Sequence, residues 1–291
     1  MLGKLLKYEF KATARIFLLM YVALLALALL NAAVIPFNGR AFFSFMDVFG
    51  DTIHAFALSL SAFLYILVAT GVIIITFVII VVRFYRMLGN EGYLWFTLPV
   101  TANQHLLSKL IAAFVWSIAS SIAIIISVLV LMLPTGYLNE LHRIPELWSQ
   151  LVSYGFNPGL WLGCAVLLLF ASWLCSTLQF YAAISIGPNL VKSRFGGSVL
   201  AYIMLYVAVQ ILTTIELLAL AGPIGNQATA LVRMADSHYL SIDISSISSI
   251  AEATNRLMIF STASIVLSSL VIAVAFYFLS HFFLSRKLNL A

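Results

Sequence analysis

Six long apolar segments dominate this sequence and restrict what it can fold into. Each has about 20 or more residues, the length that an α-helix needs to cross a hydrocarbon core of roughly 30 Å. Glu216 is the only Asp, Glu, Lys or Arg in all of them. None alternates polar and apolar residues as outer-membrane strands do, so helices must satisfy the backbone. The segments are Ile16–Ile35, Ala55–Val82, Leu110–Leu133, Leu160–Ile186, Ser198–Ala221 and Leu257–Phe283.

Composition supports the same class. Hydrophobic residues make up 63% of the chain and charged residues 9%, which leaves too little polar surface to coat a soluble globule of this length. The connections between the apolar segments are too short to hold a soluble domain. We therefore predict an all-α polytopic membrane protein with six transmembrane helices, forming a single domain over residues 1–291.

The distribution of Lys and Arg predicts the orientation. With the N-terminus inside, eleven of these residues fall on the cytoplasmic side and four on the outer side. This bias is typical of cytoplasmic loops, so both termini are predicted to be cytoplasmic. The same excess accounts for the pI of about 9.2, and no nucleic-acid partner is needed to explain it.

The first 15 residues have a helical pattern of their own. Leu2, Leu5 and Phe10 follow one face, while Lys4 and Lys11 belong to a basic face. This pattern predicts an amphipathic helix in the inner headgroup layer, with its basic side toward anionic lipid. It serves either as an anchor for the first span or also as a contact for a partner.

The connection between the second and third spans, residues 83–109, has internal organisation. Asn90 can cap a short helix that must end before Pro99. Thr101 and Gln104 have the spacing of a capping box, so the third helix is predicted to begin there and to carry His105 and Lys109 below the bilayer. Large side chains lie between Asn90 and Pro99 and form either a headgroup-level aromatic belt or a docking surface for another protein. They are Tyr93, Leu94, Trp95, Phe96 and Leu98.

The stretch GNEGYLWFTLPVTANQHLLSK, within this connection, resembles the coupling-helix region of ABC-2-type permeases of Gram-positive bacteria. These permeases are the membrane subunits of ATP-driven exporters, and the resemblance extends over the whole chain. It implies a bacterial cytoplasmic membrane, a second permease subunit, identical or homologous, and ATP-binding-cassette subunits that hold ATP and Mg²⁺. It also implies short re-entrant helices at about residues 222–256. The implied ATPase contacts are Glu91, Tyr93, Leu94, Trp95 and Phe96.

No enzymatic motif is present in the sequence. The chain lacks the phosphate loop G-x-x-x-x-G-K-[ST], the H-E-x-x-H zinc motif and the G-x-S-x-G elbow. We therefore predict no catalytic residue, no metal site and no cofactor in this chain, and the histidines are predicted to lie at surface or headgroup positions. If ATP is hydrolysed, the reaction must occur on a partner chain.

A few polar residues lie inside the apolar segments and are candidates for a substrate pathway. Small-polar stripes occur on spans three, four and six; in membranes they more often serve helix packing. Glu216 is predicted near the outer headgroups, as a snorkelling carboxylate or a gate, and Gln210 as a buried polar residue. The pathway candidates are Ser172, Ser176, Gln179, Gln210 and Glu216, and the other stripe residues are Ser117, Ser120, Ser121, Ser127, Cys175, Ser261, Ser264 and Ser268.

The sequence therefore predicts the permease subunit of an ATP-driven exporter, which forms the substrate pathway and couples to separate ATPase subunits. One alternative is a membrane scaffold or sensor component without transport activity. The other is an ion-coupled secondary transporter, although a lone intramembrane glutamate argues against it. The sequence does not identify the substrate.

Overall fold

The computed structural model describes residues 2–34, 47–88, 101–134, 141–191, 193–237 and 244–286. The regular structure in these ranges is helical, and they contain no strand. The α-helices are α1 Leu2–Val34, α2 Asp47–Leu88, α3 Ala102–Met132, α4 Ile144–Ser153, α5 Pro158–Ile186, α6 Arg194–Ser237 and α7 Ile244–Arg286. A short 3-10 helix, Gly187–Asn189, follows α5.

Six of these helices are long and apolar enough to cross a membrane, which confirms the predicted fold class. They are longer than the apolar segments because a helix can continue into the headgroup region, where side chains become polar. The second predicted span, 55–82, lies within α2 at Asp47–Leu88. The fifth, 198–221, lies within α6 at Arg194–Ser237.

Helix α1 combines two predicted elements. The amphipathic stretch 1–15 and the first span, 16–35, form one helix from Leu2 to Val34 without interruption. Its buried side chains include Leu5, Glu9, Thr13 and Phe17, which are four residues apart and therefore lie on one face. One side of the amphipathic stretch thus packs against protein and includes a carboxylate.

The start of α3 is where the sequence predicts it, but the predicted capping box is wrong. The helix begins at Ala102, and the carbonyl of Thr101 accepts hydrogen bonds from the backbone N–H groups of Gln104 and His105 at 3.0 and 3.3 Å. The Thr101 side chain makes no capping hydrogen bond. The spacing of Thr101 and Gln104 therefore predicted where α3 begins, but it did not predict the hydrogen bonds that are made there.

The chain divides into two compact units, residues 1–142 and 143–291. The prediction of a single permease domain concerns both together and stays a prediction. In the first unit α1 packs against α2 and α3. Its core contains Leu24, Val72 and Ala123, one from each helix. The rings of Phe17 and Trp116 stack at a centroid distance of 4.2 Å nearby.

In the second unit α5 packs against α6 and α7. The short helix α4 contacts α5, and none of its side chains is buried. The turn after α4 is fixed by Asn255 of α7, whose amide donates to the carbonyl of Gly155 at 3.0 Å. Gly155 has a φ of 86°, a conformation that a residue with a side chain rarely adopts.

The segment before span six differs from the prediction. Residues 222–256 were expected to form short re-entrant helices, but α6 continues to Ser237 and α7 already begins at Ile244. Helix α6 is 44 residues long and α7 is 43 residues long. Most of the segment therefore consists of extensions of spanning helices, and residues 238–243 lie outside the described residues.

Candidate functional site

Three charged residues, of which Glu9 and Lys109 are buried and Arg83 is partly buried, join the three helices of the first unit. The carboxylate of Glu9 in α1 accepts from the Lys109 ammonium of α3 and forms an ion pair with Arg83 of α2 at 3.1 Å. The side chains of Glu9 and Lys109 are 4% and 6% exposed. We call these three residues the charged cluster.

The charged cluster lies where the chain leaves α2 and enters α3. Arg83 precedes the end of α2 at Leu88, and Lys109 follows the start of α3 at Ala102. One carboxylate therefore connects both helices that flank residues 89–100. Because removing one partner of a buried ion pair leaves an uncompensated charge, Glu9 holds these two helix ends in a fixed relation to α1.

The sequence analysis did not identify Glu9. It treated residues 1–15 as an amphipathic helix with a basic face, and Glu9 is the only acidic residue among them. Its spacing of four residues from both Leu5 and Thr13 was the available signal, because it places the carboxylate on the same face as these two residues. That this face is buried follows only from the packing of α1 on α2 and α3.

His105 and Lys109 also differ from their predicted surroundings. Both were expected on a helix start projecting below the bilayer, with His105 at a surface or headgroup position. The structure buries His105 to 1% exposure and Lys109 to 6%. Their exposure is low because α1 packs along this part of α3.

The second unit contains a polar cavity of about 430 Å³ among α5, α6 and α7. Most of its wall is apolar. We call it the polar cavity for the carboxylate, amide and hydroxyl groups that α6 and α7 contribute, whereas α5 contributes Cys175. It is lined by Cys175, Val209, Gln210, Thr213, Thr214, Glu216, Leu217, Leu220, Ser261, Ile265, Ser268, Ser269 and Ile272. A concave apolar site with a few convergent polar groups is typical of small-molecule binding sites.

Glu216 is the charged residue of the polar cavity. Its side chain is partly buried, and one carboxylate oxygen accepts from the hydroxyl of Ser264 in α7 at 3.1 Å. This contact turns the carboxylate toward a neighbouring helix. The two readings of Glu216, a snorkelling carboxylate and a gate, both stay predictions.

Gln210 also lines the polar cavity, and the prediction that it is a buried polar residue stays a prediction. Its side chain is exposed and donates to the hydroxyl of Tyr206 at 2.8 Å. Thr213 and Thr214 donate to the backbone carbonyl of Gln210 at 3.1 and 2.7 Å. Helix α6 thus has a polar stripe on an exposed face, because few residues of the other helices cover it.

The other pathway candidates lie apart from the polar cavity. Ser172 and Ser176 on α5 are exposed, whereas Gln179 is buried. The side-chain nitrogen of Gln179 has no hydrogen-bond partner in the described structure. Of the five predicted pathway residues, the structure therefore brings together Gln210 and Glu216 only, with Cys175 from the stripe on α5.

The predicted coupling residues cannot be located in the same way. Glu91, Tyr93, Leu94, Trp95 and Phe96 lie outside the described residues, together with the proposed cap Asn90 and the predicted break at Pro99. Their flanks are described, and both flanks carry residues of the charged cluster. Within the described helices, no three His, Cys, Asp or Glu side chains lie close enough together to hold a metal ion.

Two serines of the stripe on α3 form contacts with other helices. Ser120 shares hydrogen bonds of 2.8 Å with the hydroxyls of Tyr21 in α1 and Thr76 in α2. Ser127 makes a hydrogen bond of 2.8 Å with Tyr65. These contacts join the helices of the first unit, as expected for small polar residues that pack transmembrane helices.

No protein-family model, curated protein or solved structure matches the chain. The resemblance to ABC-2-type permeases therefore stays a hypothesis that rests on the residues between the second and third spans and on the order of the spans.

Proposed function

We propose that this protein is a membrane-spanning permease subunit that moves a substrate across the membrane and takes its energy from separate ATPase subunits. The observation that carries the transport part of this proposal is the polar cavity of the second unit. It places the only charged residue of the six apolar segments, Glu216, beside Gln210 and a set of hydroxyl groups. Polar groups inside a membrane are costly and mark pathways more often than chance.

The charged cluster supports the coupling part. Residues 89–100 join the end of α2 to the start of α3, so a force applied to them reaches both helices along the chain, and Glu9 connects both helix ends to α1. Because a buried ion pair resists separation of its partners, the three helix ends move together. This is the behaviour required of a connection that receives the motion of a partner.

The exposed face of α6 supports a second permease subunit. In the apolar span of α6, an 18-residue stretch contains no buried residue, whereas 22% of the residues are buried in the corresponding stretch of each of the first two spans. Gln210, Thr213 and Thr214 line the polar cavity, yet all three remain exposed within this chain. A lipid-facing surface would leave these polar groups in hydrocarbon, so a protein neighbour accounts for them better.

The proposal is tested by isolating the protein from its native membrane in mild detergent. We expect a subunit with a phosphate-loop sequence to co-purify, and transport by the reconstituted complex to require ATP. The double variant Trp95→Ala/Phe96→Ala should reduce recovery of that subunit while membrane insertion persists. The matched control is Trp148→Ala/Tyr154→Ala, which removes two exposed aromatics near α4 and should leave recovery unchanged. Equal recovery from both double variants would show that the coupling residues do not contact the ATPase.

A second candidate function, ion-coupled secondary transport, is favoured by one observation. Glu216 is a protonatable carboxylate within the polar cavity, and ionisable groups in transporters carry coupling ions. In this case transport would continue without ATP and would stop when an ionophore dissipates the ion gradient. If neither ATP nor an ion gradient drives any transport, a scaffold or sensor role replaces both.

A further inference from the structure

A cleft in the first unit combines a basic end with an apolar end. Its volume is about 390 Å³, and residues of α1, α2 and α3 form its wall. The basic end contains Arg83, Arg86 and Lys109. The apolar end is formed mainly by Ile16, Val78, Ile79 and Val82. We call this the basic cleft; it belongs to neither the polar cavity nor the predicted coupling segment.

The described charges of the basic cleft are mainly positive. Glu9 is the acidic partner of Arg83 and Lys109, and Arg86 is exposed on the same side of α2, three residues after Arg83. Among the residues that the structure describes, three cations therefore adjoin one carboxylate. A guanidinium has five N–H donors in a planar arrangement, so Arg83 can bind Glu9 and a second anion at the same time.

The position of the basic cleft matches the headgroup level of a membrane. Arg83 is the first charged residue after the apolar run 55–82, so the basic end lies where the hydrocarbon region ends. Ile16, Val78 and Val82 extend from it toward the middle of the spans and are 53%, 49% and 38% exposed. The apolar end is therefore open to lipid chains along both α1 and α2.

We propose that the basic cleft binds an anionic phospholipid. Its phosphate is held by Arg86 and Arg83, with Lys109 adding positive charge, and one acyl chain lies along Ile16, Val78 and Val82. A free phosphate would use the basic end alone, whereas a lipid uses both ends. Basic pockets between transmembrane helices bind anionic headgroups by the same charge complementarity. The proposal requires only that the chain spans a membrane, and it is independent of transport.

The experiment uses native mass spectrometry of the full chain, delipidated in detergent and titrated with phosphatidylglycerol or with phosphatidylcholine of the same acyl chains. We expect tighter binding of phosphatidylglycerol. The variant Arg86→Gln should weaken it about five-fold, the effect of one basic residue near an anionic headgroup. The control Arg15→Gln removes an exposed arginine of α1 that does not line the cleft, and it should leave binding nearly unchanged. Equal binding of both lipids, or equal effects of the two variants, would overturn the proposal.

A second pair of variants separates a lipid from a free anion. Val78→Trp fills the apolar end at a half-exposed position, and Ile73→Trp places the same ring at an exposed position outside the cleft. We expect Val78→Trp to abolish retention of phosphatidylglycerol and Ile73→Trp to preserve it. Inorganic phosphate should not displace the lipid at equal concentration. If phosphate displaces it and Val78→Trp has no effect, the cleft binds a free anion or is covered by protein, and the lipid proposal fails.

Discussion

Glu9 and Lys109 form a buried ion pair although one hundred residues of chain separate them. The same carboxylate also pairs with Arg83, so one side chain of α1 binds both helix ends that flank residues 89–100. A buried carboxylate with two cationic partners is favourable only while all three remain together, because Glu9 and Lys109 have given up their hydration and Arg83 has given up part of its own. The first unit is therefore sensitive to the loss of any one of them.

The first prediction concerns removal of this carboxylate. Glu9→Gln leaves the Lys109 and Arg83 charges without their acidic partner, and we expect a loss of about 3 kcal/mol in the free energy of unfolding. The double variant Glu9→Gln/Lys109→Met should lose less than the sum of the two single variants, since it removes the opposite charges together. Reversible unfolding in mixed micelles of increasing SDS content measures these differences.

The chain offers a matched control for this measurement. Glu252 and Arg256 form an ion pair at 2.6 Å on α7, and their side chains are 67% and 76% exposed. Such exposed pairs contribute little, so Glu252→Gln should cost no more than about 0.5 kcal/mol. Equal losses from Glu9→Gln and Glu252→Gln would contradict a buried cluster in the first unit.

A second prediction concerns two adjacent serines of α3. Ser120 joins Tyr21 and Thr76 through hydrogen bonds of 2.8 Å, whereas Ser121 is exposed and bonds only to the carbonyl of Ser117 in its own helix among the described contacts. Ser120→Ala should destabilise the first unit by about 1 kcal/mol, a typical upper value for interhelical hydrogen bonds in membranes. Ser121→Ala should have no measurable effect. The same SDS titration measures both variants. A larger loss of stability for Ser121→Ala than for Ser120→Ala would mean that Ser121, and not Ser120, faces α1 and α2.

The third prediction concerns a close approach between the end of α5 and the start of α6. A Cβ atom added at Gly187 would lie 2.5 Å from the backbone nitrogen of Ser198, and one added at Gly197 would overlap the carbonyl of Gly187. Gly187→Ala and Gly197→Ala should therefore each lower stability by about 2 kcal/mol or more, as overpacking does.

Gly163 on α5 is the control for these two variants. A Cβ atom added there meets no atom within 4 Å, and alanine has the better helix propensity. Gly163→Ala should leave the thermal midpoint unchanged or raise it slightly, as measured by tryptophan fluorescence in detergent. A similar fall in the midpoint for all three variants would mean that α5 and α6 do not approach closely at this turn.

The sequence predicts the number and location of the spans because a membrane imposes one requirement on every spanning segment. About 20 uncharged apolar residues suffice to recognise each helix. The same requirement does not determine where the helix ends, since a helix in the headgroup region needs no apolar side chains. This is why α2 begins at Asp47 and α7 at Ile244, several residues before the predicted spans.

The candidate sites were harder to predict because they depend on contacts between distant helices. Glu216 and Gln210 stood out as polar residues in an apolar segment, and both line the polar cavity. Glu9 did not stand out, because it lies in a charged amphipathic stretch where an acidic residue is ordinary. Its burial depends on the packing of α1, which no local pattern encodes.

The fourth prediction uses the two cysteines as reporters of the polar cavity. Cys175 lines the cavity and Cys164 does not, although both belong to α5 and both are partly buried. An apolar cation such as tetraphenylphosphonium should enter the cavity because Glu216 supplies the opposite charge in a largely apolar site. It should therefore slow alkylation of Cys175 by a membrane-permeant maleimide several-fold in the Cys164→Ser protein. In the Cys175→Ser protein the same cation should not affect labelling of Cys164.

Glu216→Gln keeps a hydrogen-bond acceptor for Ser264 but removes the charge, so protection of Cys175 should disappear in this variant. Protection that persists without the charge would show that Glu216 does not select cations, and protection of both cysteines would show that the cation acts on the membrane rather than in the cavity.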